Sequence, residues 1–87
     1  MKVPRKIKDA RPIYPESALS SRGRASVFIE AIIGPDGKVE QASVLHSSPP
    51  FDQAALDAVR KWEYEPPMLN GLPIAVIMTV IVNFALQ

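Results

Sequence analysis

The sequence contains no cysteine and only one histidine among its 87 residues. The absence of cysteine excludes disulfides, thiolate catalysis and the commonest zinc sites, and it leaves the redox compartment open. A protein metal site needs three or four convergent donors, which one histidine and scattered carboxylates do not predict. The four glycines fall at predicted turns or helix ends and form no phosphate-binding loop. We therefore expect neither a metal nor a cofactor.

The chain also lacks a recognisable catalytic set. His46 is followed by Ser47 and Ser48, but adjacent residues of an extended segment point away from one another, so this order does not predict a base beside its nucleophile. The carboxylates are spread over predicted turns and solvent-facing positions. We expect that the protein is not an enzyme.

A strong charge of either sign is absent too, since the formal net charge is +1. Charge alone therefore gives no reason to expect a nucleic-acid partner. The basic residues at the amino terminus precede no apolar stretch that would act as a signal peptide or anchor. The longest apolar run, Ile74–Leu86, is interrupted by Thr79 and Asn83 and is shorter than the roughly 20 residues of a spanning helix. We predict a flexible basic arm at residues 1–11 and one small domain at residues 12–87.

The first half of this domain shows a change of period. A short helix is predicted from Pro15 to about Ser21, because proline is tolerated in a first helical turn. From Arg24 to Ile33 apolar residues alternate, which predicts a strand. The turn sequence Gly34-Pro35-Asp36-Gly37 then reverses the chain into a second strand, Lys38 to about His46. The apolar parity of that strand slips, which predicts a bulge near Glu40-Gln41.

The second half begins with the main helix. Apolar residues recur there at helical spacing: Phe51, Ala55, Ala58, Val59 and Trp62. Asp52 near its start and Arg60 near its end complement the helix dipole. Pro66-Pro67 prevents continuation, and the β-branched residues from Ile74 onward predict the third strand.

These lengths predict the topology. The first two strands are antiparallel neighbours, and the main helix returns the chain so that the third strand lies beside the first. The fold class that we expect is α+β, a three-stranded antiparallel sheet of order 2-1-3 in chain numbering with two helices packed on one face.

The third strand has two different faces and an unprotected edge. Its even positions form an apolar row suited to burial: Ile74, Val76, Met78, Val80, Val82 and Phe84. Its odd positions are mixed: Ala75, Ile77, Thr79, Ile81 and Asn83. Soluble proteins usually blunt a sheet edge with charge or proline, and neither occurs from Ile74 to Leu86. Such an edge is an aggregation hazard, a docking site for an added strand, or an edge covered by the protein's own tail or arm.

Several short motifs occur in a fixed order and spacing. They are Tyr14-Pro15, Gly23, Asp36-Gly37, Ala54-Ala55 leading to Trp62, and the sequence Trp62, Tyr64, Glu65, Pro66. Together they resemble the carboxyl-terminal domain of the TonB family, bacterial proteins that reach across the periplasm and pull on outer-membrane transport receptors. The resemblance runs from Pro12 to Phe84.

The resemblance implies a periplasmic module of an inner-membrane-anchored energy transducer, as in siderophore uptake. It implies that a short receptor segment, the TonB box, adds to the third strand, and that a proton-driven inner-membrane motor acts through an amino-terminal anchor outside this sequence. The expected partner-binding residues are Tyr64, Ile74, Ala75, Val76, Ile77, Met78, Thr79, Val80, Ile81, Val82, Asn83 and Phe84.

Two alternatives remain open at this point. The same edge would serve a structural or regulatory domain that forms homodimers in another envelope complex, with Ile77 and Ile81 facing the second copy.

For the aromatic residues that follow the helix, core packing is favoured at Trp62, whereas Tyr64 is assigned either to the core or to the docking groove.

Overall fold

The computed structural model describes residues 4–19 and 23–85. In chain order its elements are β1 (Lys6–Lys8), a single 3-10 turn (Glu16–Ala18), β2 (Ala25–Ile33), β3 (Val39–His46), α1 (Asp52–Val59), β4 (Glu63–Tyr64), β5 (Met68–Leu69), β6 (Leu72–Pro73) and β7 (Val76–Phe84). The predicted α+β class is confirmed.

The main sheet has three antiparallel strands, as predicted. Along the sheet the order is β3, β2, β7, so the first strand of the hairpin is central. The pairing of β2 with β7 is regular over its whole length, from Ala25 opposite Phe84 to Ile33 opposite Val76. The alternating apolar residues of β2 point to one face and are fully buried from Val27 to Ile33. This face is the floor of the core.

The bulge predicted in the second strand is confirmed. Gln41 lies opposite Ile32 and Val39 lies opposite Ile33, so Glu40 is the extra residue. The additional residue restores the parity of the strand, because Val39 then shares the core-facing side with Ala42, which lies opposite buried Ala31. The apparent slip in the apolar pattern was the signal for this bulge.

The prediction of two helices is wrong. In the part of the chain that the structure describes, α1 is the one α-helix, and the predicted helix after Pro15 is a single 3-10 turn. That turn is held by two bonds, from the Ala18 N–H to the Pro15 carbonyl at 3.0 Å and from the Leu19 N–H to the Glu16 carbonyl at 3.1 Å. A segment this short does not repay the cost of helix nucleation. Residues 20–22 lie outside the described residues.

The second layer of the core consists of α1 and the segment before β2. Ala55 and Val59 of α1 are fully buried. Tyr14 brings the preceding segment into the same layer, since its ring meets that of Phe51 edge-on at a centroid distance of 5.2 Å. Phe51 in turn lies 4.8 Å from Phe84 at the end of β7. The aromatic cluster therefore joins both parts of this layer to the sheet.

The described part of the basic arm, residues 4–11, contains a short strand that was not predicted. In β1, Lys6 lies opposite Tyr64 and Lys8 lies opposite Glu63. β4 is connected to the start of the second hairpin strand by an isolated bridge between Lys38 and Glu63. The mobility of residues 1–11 stays a prediction.

Candidate functional site: the outer edge of β7

The two faces of β7 differ in exposure as the alternation predicted. The core-facing side chains Val76, Val80, Val82 and Phe84 are buried. On the other face Ile77 is 66% exposed and Ile81 is 50% exposed. Within this sheet the β-branched residues of β7 therefore serve two purposes: one set builds the core, and the other leaves an apolar surface in contact with solvent.

The outer backbone edge of Val76–Phe84, called the β7 rim below, is the candidate site. β7 is the last strand of its sheet, and among residues 4–19 and 23–85 no strand pairs with its outer side. No charged residue and no proline lies between Val76 and Phe84. Among the described residues, the outward N–H and C=O groups of this strand of 9 residues thus have no neighbouring strand.

The structure brings most of the predicted partner-binding residues together on this strand. Two of them precede it: Ala75 is exposed, and the N–H of Ile74 donates to the carbonyl of Pro67 at 2.8 Å. Met78 is partly buried against the core, while Thr79 and Asn83 are exposed beside the rim. The backbone of Ile74 is therefore already bonded at its N–H.

Tyr64 is placed elsewhere. It lies in β4, which pairs with β1, and its N–H donates to the carbonyl of Gly37 at 2.8 Å. Its side chain is 5% exposed and belongs to the core. Burial raises the pKa of the Tyr64 hydroxyl, and the nearby Asp9 carboxylate raises it further. Of the two roles left open for this residue, the structure supports core packing.

The outer face of the sheet continues the apolar surface next to the rim. Phe28 lies opposite Ile81 and Ile32 lies opposite Ile77, with Glu30 between them opposite Thr79. Phe28 is 37% exposed. On this face, an incoming strand at the β7 rim would therefore meet two isoleucines, one threonine and one asparagine, namely Ile77, Ile81, Thr79 and Asn83.

The apolar hairpin formed by β5 and β6 precedes β7. Asn70 and Gly71 both have positive φ, which is the geometry of a tight two-residue hairpin turn. Leu69 and Leu72 beside the turn are 48% and 67% exposed. From Pro66 to Gln87 the sequence has no charged residue, and this run was the signal that the uncharged surface extends beyond β7.

His46, Ser47 and Ser48, the other polar residues considered for chemistry, each have a different contact. His46 is exposed and meets the Phe28 ring edge-on at 5.9 Å. The hydroxyl of Ser47 donates to the Asp52 carboxylate, which also accepts the N–H of Ser48 at 2.8 Å. No cluster of three or more possible metal ligands occurs in the described parts of the chain. Within the same residues, none of the helices has the length and apolar character of a membrane span.

Comparison with known proteins decides the family. Residues 10–86 match the family model described as Gram-negative bacterial TonB protein C-terminal. The chain belongs to the TonB C-terminal domain family. Protein TonB of Xanthomonas campestris pv. campestris strain B100 is 36% identical over 78 residues, which are 87% of this chain and 35% of that protein. Protein TonB of Escherichia coli K12 is 32% identical over 65 residues, 72% of this chain and 27% of that protein.

A solved TonB domain has the same fold. The solution NMR structure of the Pseudomonas aeruginosa TonB CTD superposes with a TM-score of 0.77 at 27% identity, covering 97% of this chain and 87% of that one. The chain spans between 27% and 35% of the length of the two TonB proteins above. The resemblance read from Tyr14-Pro15 and the Trp62–Pro66 motif is thereby confirmed.

Proposed function

We propose that this TonB-type domain is the receptor-coupling module of a periplasmic energy transducer. It captures an extended segment of an outer-membrane transport receptor, the TonB box, as an additional strand on the β7 rim. The protein that carries it is anchored in the inner membrane, and a proton-driven motor complex there generates the force that the domain passes on. Siderophore uptake is the transport process that the family resemblance implies.

One observation carries this proposal: β7 is at once a long edge strand and free of charge and proline. Backbone hydrogen bonds of an added strand give affinity independently of its sequence, and alternate side chains give selectivity. The exposed Ile77 and Ile81 beside the rim supply contact area for those side chains. A pull along the strand axis loads several such bonds together, which suits force transfer.

A titration of the isotope-labelled domain with a TonB-box peptide tests the proposal. We expect the amide resonances of Ile74–Phe84 and of the paired β2 residues to change on binding, with little change in α1. Proline at Ile77 or Thr79 lacks an N–H and abolishes binding if that N–H donates outward. Absence of binding, or changes confined to residues away from β7, would refute strand addition.

A second candidate function is favoured by the same exposed face. Ile77 at 66% and Ile81 at 50% exposure would face a second copy if two β7 rims paired across a twofold axis. The domain would then be a structural or regulatory dimerisation module of another envelope complex. Sedimentation over a range of concentrations separates the two functions, because dimerisation through β7 competes with the peptide and increases the mass.

A further inference from the structure

The segment Arg5–Ala10, called the strap below, is fastened to the residues that follow α1 by several different contacts. Its β1 strand pairs with β4. The N–H of Glu65 donates to the carbonyl of Arg5 at 2.9 Å. The indole N–H of Trp62 donates to the carbonyl of Ala10 at 2.9 Å, and the Lys6 ammonium lies 3.7 Å from the centroid of the Trp62 ring. The strap is thus held along its whole length.

Most of these contacts are of a kind that breaks easily. The Arg5–Glu65 ion pair measures 2.6 Å, but 81% of the Arg5 side chain is exposed. Lys8 and Glu63 are 3.3 Å apart and also in contact with solvent. Exposed ion pairs are weak and are screened by salt, and a two-stranded pairing of this length is marginal on its own.

The next attachment along the chain is of a different character. The hydroxyl of Tyr14 donates to the carbonyl of Gly23 at 2.7 Å, and its ring packs against Phe51 and Phe84 in the aromatic cluster. These contacts lie within the core. The strap meets the core at its Ala10 end, through the bond to buried Trp62, whereas its ion pairs lie at the surface. A force applied to the chain before Pro4 therefore acts on the strap first. The force reaches Tyr14 only after the strap has detached.

We propose that the strap is a releasable segment. The site formed by Trp62–Glu65 binds an extended basic segment, and the chain's own Arg5–Ala10 occupies this site. The strap leaves the site under tension or at high salt, while the sheet stays folded. Release leaves the acidic side chains Glu63 and Glu65 and one face of the Trp62 ring without their partners. This is a property of the chain whether or not the β7 rim binds a receptor.

Neighbouring amides give a direct test by hydrogen exchange in the full chain. The Glu65 N–H is bonded to the strap, whereas the Tyr64 N–H is bonded to Gly37 in the body. We expect Glu65 to be protected at low salt, and to exchange much faster than Tyr64 and β2 when the ionic strength reaches about 1 M, where the screening length falls to about 3 Å. A Glu65 amide unprotected at low salt, or one that opens only together with β2, would overturn the proposal.

A pair of variants links the release to the cation on Trp62. Lys6→Gln removes the ammonium from the ring and also its 2.8 Å ion pair with Asp9 inside the strap. It should speed Glu65 exchange by roughly two- to fivefold, the factor that an exposed cation–π contact represents, because an exposed ion pair between near neighbours adds little. Lys61→Gln removes an exposed lysine next to Trp62 in sequence and should leave the rate unchanged. Equal effects of the two variants would contradict the assignment.

Single-molecule extension with handles at the chain ends tests the order of release. Detachment should appear as a reversible lengthening before the sheet unfolds, of at most about 30 Å for the extended chain from Arg5 to Tyr14. Lys6→Gln should lower the force at which it occurs, and Lys61→Gln should not. The proposal would be overturned by a trace in which the sheet unfolds before the strap detaches. A trace that shows no extension before the sheet unfolds would overturn it as well.

Discussion

Ile29 on the central strand lies opposite Val80 on β7, and both side chains point into the core. Ile29 is fully buried, with 0% of its surface exposed. This pair shows how β7 is held in place: its core-facing side chains pack in the core and its inner backbone edge pairs with β2. Only the outer backbone edge of β7 is left for a partner.

Replacement of Ile29 tests this packing. Ile29→Ala should reduce the free energy of unfolding by about 2–5 kcal/mol, because the lost contacts leave a cavity. The measurement is urea unfolding followed by circular dichroism. Ile77→Ala, on the opposite face of the sheet, should change the free energy by no more than about 0.5 kcal/mol. Similar losses for both variants would contradict the assignment of the faces.

Two glycines with positive φ make a matched pair. A Cβ at Gly37 (φ 85°) would fall on the carbonyl oxygen of Tyr64, whereas a Cβ at Gly71 (φ 80°) meets no atom within 4 Å. Gly71→Ala should therefore cost only the backbone strain of about 1–2 kcal/mol, while Gly37→Ala should cost clearly more and disturb β4. Comparison of the two unfolding midpoints checks the order, and an equal cost would show that the contact between the first turn and β4 is not as described.

The buried Tyr64 side chain, whose hydroxyl has a raised pKa, predicts a loss of stability at alkaline pH. Burial raises the pKa of Tyr64 above its ordinary value of 10.0. The neutral phenol therefore stabilises the fold fully below the unfolded-state pKa, and this contribution is lost as the pH rises through the folded-state pKa. Thermal unfolding at pH values on both sides of 10 measures the fall. Tyr64→Phe should reduce it, whereas Tyr14→Phe retains Tyr64 and should keep it.

Charge placed beside the rim tests the docking edge. Thr79 and Ser43 lie on either side of Glu30, one on β7 and one on β3. An added strand would lie about 4.8 Å from β7, so a lysine at position 79 would be desolvated on binding. Thr79→Lys should weaken peptide binding by at least roughly tenfold, or about 1.4 kcal/mol. The measurement is a fluorescence titration with the peptide, in which Ser43→Lys should leave the affinity unchanged. Equal weakening by the two substitutions would indicate a binding site on the outer face of the sheet instead.

The features predicted correctly from the sequence are those whose cause is local. Alternation along β2 and β7 and the parity slip at Glu40 each follow from the period of a strand. The strap could not be predicted, because Lys6 and Ala10 contact Trp62 across more than fifty residues and no periodicity marks such a pairing. The helix expected after Pro15 failed because local preference without a buried stripe does not sustain a helix.

The sequence was sufficient to identify the strand of the candidate site, but not to determine which neighbouring residues belong to the site. An uncharged, proline-free β-branched run was sufficient to locate the edge at β7. Tyr64 was grouped with this strand because it lies beyond the helix and near the start of the strand in sequence. In the structure its backbone instead pairs with Lys6 and bonds to Gly37. The bond from Ile74 to Pro67 depends on how the β5–β6 hairpin folds back, which the composition alone does not determine.

In the proposed complex, the β7 rim accepts an extended segment as a further strand. Interchain nuclear Overhauser effects, measured between an isotope-labelled domain and an unlabelled TonB-box peptide, test it most directly. We expect a ladder of backbone contacts between successive peptide residues and alternate residues of Val76–Phe84, with the β2–β7 contacts retained. A bound peptide whose contacts lie on β3, on α1 or on side chains of the outer face alone would contradict it.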